Sequence, residues 1–192
     1  MSKLRRRAVA TLALVACAAP FGVAQAQEER KQDNIAVATT EQDGSRAFDF
    51  AWSLDRQRGG VVDHRNIANA FARCTDCRAT SIAFQILLVS GSPSRVEPFN
   101  QAAAINDACT NCVVYAGARQ FVRVVPDARA QFSEAGRDTL ADVRRQLRAI
   151  EGQDLTVDEQ IAVVEAQEAR VVKVLTEEVV TTSRRDRQDD DR

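Results

Sequence analysis

The chain has 192 residues, with 26 lysines and arginines against 27 aspartates and glutamates, one histidine and a formal charge of −1. A near-neutral chain gives no electrostatic reason to expect nucleic acid or an anionic lipid surface as a partner. A single histidine, His64, excludes an HExxH zinc-protease helix and any two-imidazole metal site, and neither a G-x-S-x-G elbow nor a Walker loop occurs, so the motifs point away from an enzyme.

Met1 to Arg7 carries four cations and precedes an apolar run from Ala8 to Ala19, too short to cross a bilayer as a helix. Ala24-Gln25-Ala26 then sets small residues at −3 and −1 of a cleavage point. Residues 1–26 read as a secretory signal peptide. Leu14-Val15-Ala16-Cys17 also resembles a lipoprotein acylation box, so lipid anchoring through Cys17 is the competing expectation. Loss of Lys3, Arg5, Arg6 and Arg7 leaves 22 bases against 27 acids, a formal charge of −5. No later stretch is apolar enough for a membrane span.

Residues 27–45 are polar apart from Ile35, Ala36 and Val37, and are expected to form a disordered leader. Phe48, Phe50, Trp52 and Leu54 alternate with smaller or polar residues, a period of two that predicts a half-buried strand with Trp52 as a buried anchor. Asp63 can cap a short helix from His64 to Arg73, which delivers Cys74 and leaves His64 as a surface or capping residue. Residues 78–90 read as a buried strand, with a helix as the open alternative.

Cys74-Thr75-Asp76-Cys77 returns as Cys109-Thr110-Asn111-Cys112, and the same 35-residue shift sets Ala68 on Ala103, Ala83 on Ala118, Gln85 on Gln120 and Val89 on Val124. The second copy again offers helix formers (Gln101 to Ala108), the cysteine turn and a β-branched run (Val113 to Val125). Two copies are too few for a solenoid. The expectation is therefore an α+β domain over residues 46–126, a small sheet with two helix-CxxC-strand repeats.

Pro126 and Asp127 stop the last strand. Phe132, Leu140, Val143, Leu147 and Ile150 form one apolar stripe, and Thr156-Val-Asp-Glu159 reads as a capping box before a second helix, so residues 127–180 are expected as a helical hairpin. Its stripe would be hidden by docking on the cysteine domain or by self-association. Residues 181–192 mix both charges without apolar side chains and read as a disordered tail.

Four cysteines beyond a signal peptide argue first for disulfides among Cys74, Cys77, Cys109 and Cys112, in any of three connectivities. In the chain-entropy model a bridge across the repeats contributes roughly 4 kcal/mol and one within a tetrapeptide roughly 2 kcal/mol. A zinc site made by all four thiolates is the second reading, weakened by the 31 residues between the hooks and by the missing knuckle glycines. A thiol-redox pair is the third, because such pairs follow a strand and open a helix, the reverse of the expected order.

Asn66-x-Ala68-x-Ala70, Cys74-Thr-Asp-Cys77-Arg78, Ala83-Phe84-Gln85 and Asn106-x-x-Cys109-Thr-Asn-Cys112 resemble a family of exported bacterial proteins, common in actinobacteria and often labelled peptide zinc metalloproteases. The resemblance covers about Phe48 to Val125 and implies no established activity. Its protease label finds no HExxH helix here, so it carries over no catalytic residue. The expected product is an exported, disulfide-stabilised, non-enzymatic structural or interaction domain of the cell envelope or exterior. Its expected partner is an unidentified protein or a second copy held through the helical hairpin.

Overall fold

Asn34, Asn66 and Asn100 stand in one row across three neighbouring strands, joined side chain to side chain, and the row shows how the chain is wound. The computed structural model describes residues 33–126 and 128–182. The signal-peptide and Cys17 readings, and all but the first two residues of the charged tail, lie outside those residues.

Six strands make two parallel sheets. β1 (Asn34–Thr40), β3 (Arg65–Ala72) and β5 (Phe99–Asn106) form one, in the order β1-β3-β5; β2 (Arg46–Val62), β4 (Arg78–Val96) and β6 (Val113–Val125) form the other, in the order β2-β4-β6. The chain passes from one sheet to the other and back, so β1–β2, β3–β4 and β5–β6 are three coils of a flattened parallel solenoid. Paired residues are 32 to 35 apart, as in Asn34 opposite Asn66 and Arg78 opposite Val113.

This overturns the expected α+β fold of two helix-CxxC-strand repeats. The stretches expected as helices, His64 to Arg73 and Gln101 to Ala108, are strands β3 and β5. Alanine favours a helix in isolation, but alternating Asn66, Ala68, Ala70 and Ala72 supply a small inward face that lets two sheets approach, and packing outweighs propensity. Ala36, Ala68, Ala83 and Ala118 fill that narrow space. The expected disordered leader over residues 27–45 is corrected where it is described: Asn34 to Thr40 is a strand with alternating buried and exposed residues, while 27–32 lie outside the described residues.

The repeat is also threefold. The first coil lacks cysteines but shares Asn34-Ile35-Ala36 with Asn66-Ile67-Ala68. The 35-residue shift holds from Thr75 and Thr110 onward, whereas β3 pairs with β5 at 34, setting Ala68 opposite Ala102. Ala108, with φ 48°, is the extra residue before the second tetrapeptide.

β4 is buried on both faces from Ala79 to Val89, as the middle strand of a covered sheet must be. Ile82, Phe84, Ile86 and Leu88 face the helices; on the opposite side Ala83 packs against Ala36 and Ala68 of the first sheet, and Leu87 and Val89 cluster with Val62, Val122 and Val124. Trp52 is half-buried and stacks on Phe84, centroids 6.2 Å apart.

β7 (Arg129–Phe132), α1 (Glu134–Arg148), a 3-10 turn (Ala149–Gly152), α2 (Val157–Glu177) and β8 (Val179–Thr182) follow, with β7 and β8 antiparallel. The hairpin therefore starts later than expected, at Ser133, whose hydroxyl accepts the Gly136 amide; Phe132 lies on β7. The capping box at Thr156 and Glu159 is present. Leu140, Val143, Leu147, Val164, Val171 and Val174 pack in one core with Ile82 and Phe84, so the helices cover the outer face of the second sheet. Tyr115 folds along that face over Gly117, where a Cβ would lie 2.6 Å from its Oη.

Candidate site at the stacked cysteine corners

Each coil turns from its first strand to its second through a short corner, and the corners stack. Thr75 bridges Thr110 in parallel fashion, the Asp76 amide donates to Thr110 O, and the Gly44 amide donates to Thr75 O. The two cysteine tetrapeptides are successive corners of the stack. Turns this tight need one residue in the left-handed region, supplied by Gly44, Asp76 and Asn111, all types that tolerate it.

Cys74 is bridged to Cys77 and Cys109 to Cys112, with Cα atoms 6.0 and 5.9 Å apart. Neither bridge crosses the repeats. Each joins the two ends of a corner, and the backbone ladder, not sulfur, ties one coil to the next. In the first coil Gln42 and Ser45 occupy the corresponding positions, and both the amide and the hydroxyl of Ser45 donate to Gln42 O. A pair of hydrogen bonds there spans the corner that sulfur spans in the other two.

The pairs differ in burial. Cys77 is fully buried and Cys74 nearly so, against Ala38, Ala70, Ala72 and Ala79, whereas Cys109 and Cys112 are half-buried on the last coil. The Cys112 sulfur lies 3.0 Å from the Cys74 carbonyl oxygen. The sulfurs of Cys77, Cys109 and Cys112 all fall within 4.8 Å of one another. Chemically, such a cluster can persist as two stacked disulfides, exchange between them after partial reduction, or hold a soft cation once reduced.

The surroundings are polar and anchor the helices. Arg78 donates to Leu155 O at 2.9 Å and pairs with Asp154 at 2.9 Å, and Arg46 reaches the same carboxylate at 3.2 Å. These contacts fix the helical loop beside the corners, a relation that spacing alone could not reveal.

His64 sits elsewhere, at the opposite bend between β2 and β3. It is 2 % exposed, so the expectation of a surface or helix-capping residue is corrected. Its Nε2 pairs with Gln57 Oε1 at 3.1 Å, its Nδ1 lies 3.9 Å from Asp55, and its carbonyl accepts from Gln120. Burial lowers its pKa below the usual imidazole value, partly offset by Asp55, Asp63 and Asp33.

Sequence reasoning missed the asparagine row. Asn66 Nδ2 donates to Asn100 Oδ1 at 2.8 Å and to Ala83 O at 3.1 Å, while Asn34 Nδ2 donates to Asn66 Oδ1 at 2.7 Å. The signal was the tripeptide Asn-Ile-Ala repeated 32 residues apart. Comparison of the chain with protein-family models, with curated proteins and with solved structures finds no match.

Proposed function

We propose that the chain is an exported, disulfide-stabilised scaffold of the cell envelope or exterior, whose sulfurs serve the coil rather than a reaction. One observation carries this reading: both bridged pairs close equivalent corners of one stack, and the first coil closes the same corner with hydrogen bonds from Ser45 to Gln42. Sulfur that a hydrogen-bonded turn can replace is acting as a clasp. Disulfides persist in oxidising compartments, which agrees with a leader that reads as a signal peptide. His64, enclosed at a bend and held by Gln57, is used as a structural side chain.

Intact-mass analysis of the exported chain before and after reduction tests the proposal, with a gain of about four hydrogens expected from two bridges. Four thiols that alkylate without reductant would refute it.

A second reading is favoured by the three sulfurs within 4.8 Å: a four-thiolate zinc site, or a thiol-redox pair, built from Cys74, Cys77, Cys109 and Cys112. Tetrahedral thiolate coordination sets sulfurs about 3.8 Å apart, within reach of small corner movements after reduction. Thiols that alkylate only after a chelator is added support zinc. A bridge that a mild dithiol opens and an oxidant closes repeatedly supports redox work.

A further inference from the structure

The two ends of the solenoid are built differently. The sheets are staggered: β1 packs on β2 and β4, β3 on β4 and β6, and β5 on β6, beyond which the described residues supply no strand of the second sheet. Inward residues of β1 (Asn34, Ala36, Ala38, Thr40) are therefore buried, while their counterparts on β5 (Asn100, Ala102, Ala104, Asn106) are exposed although they keep interior character. β5 holds no charge and no proline, the usual protections of an edge strand.

The other end is protected. Asp49 on β2 accepts the amide of Val37 on the end strand β1, and Asp55 lies on the same inward face of β2. Stacking a second copy head to tail would press both carboxylates against the alanine face of β5 and the inward face of β6, neither of which carries a cation to meet them. The chain's own terminal segments outside the described residues do not match either, since residues 27–32 and 183–192 are wholly charged or polar and residues 1–26 read as a signal peptide removed on export.

We propose that β5 is a homodimer interface, pairing antiparallel with β5 of a second copy about a two-fold axis through Ala102. The register is self-complementary. On the outward face Phe99 and Ile105, exposed at 45 % and 52 %, fall opposite the partner's Ile105 and Phe99, and Gln101 falls opposite the partner's Ala103. On the inward face Asn100 meets the partner's Ala104, and Ala102 meets its own copy. Glu97 and Asp107 flank the strand and face each other across the axis, but each already carries an arginine, Arg95 at 3.4 Å and Arg73 at 3.6 Å, so the junction is neutral. A two-fold contact of this kind closes on itself and leaves the Asp49 ends outward.

The inference rests on the scaffold reading and names its partner surface, but the two fail separately. Free thiols would refute the scaffold without altering the oligomeric state. Sedimentation velocity of the exported chain should show a concentration-dependent monomer-dimer equilibrium, and Ile105→Lys, on the exposed face and outside the core, should leave monomer alone. Under mild oxidation Ala102→Cys should give a covalent dimer, because opposed Cα atoms in an antiparallel pair lie within disulfide reach, whereas Gln101→Cys, diagonal to its own copy, should not. A chain that stays monomeric at every concentration overturns the proposal. So do oligomers that survive Ile105→Lys, and equal cross-linking by both cysteine variants.

Discussion

Gly44 and Asp76 stand 32 residues apart in sequence and one coil apart in space, and each donates its amide to a threonine carbonyl of the next coil, Thr75 and Thr110, at 2.9 Å in both cases. Their φ angles are 70° and 57°, and Asn111 continues the series at 55°. The corner is thus a backbone device that sulfur only reinforces.

Conformational cost decides which residues can stand there. Asp76→Ala should lower stability by about 1–2 kcal/mol, because a Cβ without a compensating polar group is disfavoured in the left-handed region. Asp76→Gly loses the same side chain, including its bond from Asn111, yet should be less destabilising than alanine. Urea unfolding of the two variants isolates the backbone contribution. Equal losses would show that the side chain alone matters.

Much of this architecture was legible and some was disguised. The strand containing Trp52, the buried run around Ile82 to Leu88 and the capping box at Thr156 follow from periodicity and cap chemistry, and all three are present. β3 and β5 were not legible as strands, because alanine at alternate positions gives the local chain helix propensity while its purpose, a narrow gap between sheets, exists only after coiling. The first coil of the repeat was hidden for a related reason: the repeat is marked by cysteine, and the first coil uses Gln42 and Ser45 in its place. Which sulfurs pair was equally beyond the sequence. The entropy argument favours long loops, whereas each bridge closes the two ends of one corner, with Cα atoms 6.0 and 5.9 Å apart, a corner that exists only once the chain has coiled.

The asparagine row should be costly to interrupt in its middle and cheap at its end. Asn66→Ala removes the acceptor of Asn34 and the donor to Ala83 O inside a fully buried setting, so about 2–3 kcal/mol of destabilisation is expected. Asn100→Ala acts on an exposed strand and should cost less than half as much. Denaturant midpoints at unchanged slope provide the comparison. A cost for Asn100 equal to that for Asn66 would mean the last coil is covered in solution.

The two bridges should open in order. Cys109–Cys112 is half-buried on the last coil and Cys74–Cys77 is enclosed beneath it, so limited reductant followed by alkylation should label Cys109 and Cys112 first. Replacing that outer pair with serines should cost about 2 kcal/mol, the value for so short a loop. Serines at Cys74 and Cys77 should cost more, since they also bury hydroxyls among alanines. Peptide mapping of partly reduced protein checks the order, and preferential labelling of the inner pair would contradict the corner arrangement.

Acidification should weaken the fold partly through His64. Burial holds the folded ring's pKa below the free value of 6.5, against the pull of Asp55, Asp63 and Asp33, so the unfolded chain binds the proton more readily. Stability from the neutral ring is therefore fully present above pH 6.5 and is lost as pH falls through the lowered folded value. His64→Gln keeps a polar side chain that can meet Gln57 but cannot titrate in this range. Plotted against pH, the stability difference between the two proteins should be flat above neutrality and should shift in favour of the variant as pH falls below about 6.5. A difference that stays constant down to about pH 5 would show that His64 is not enclosed in solution.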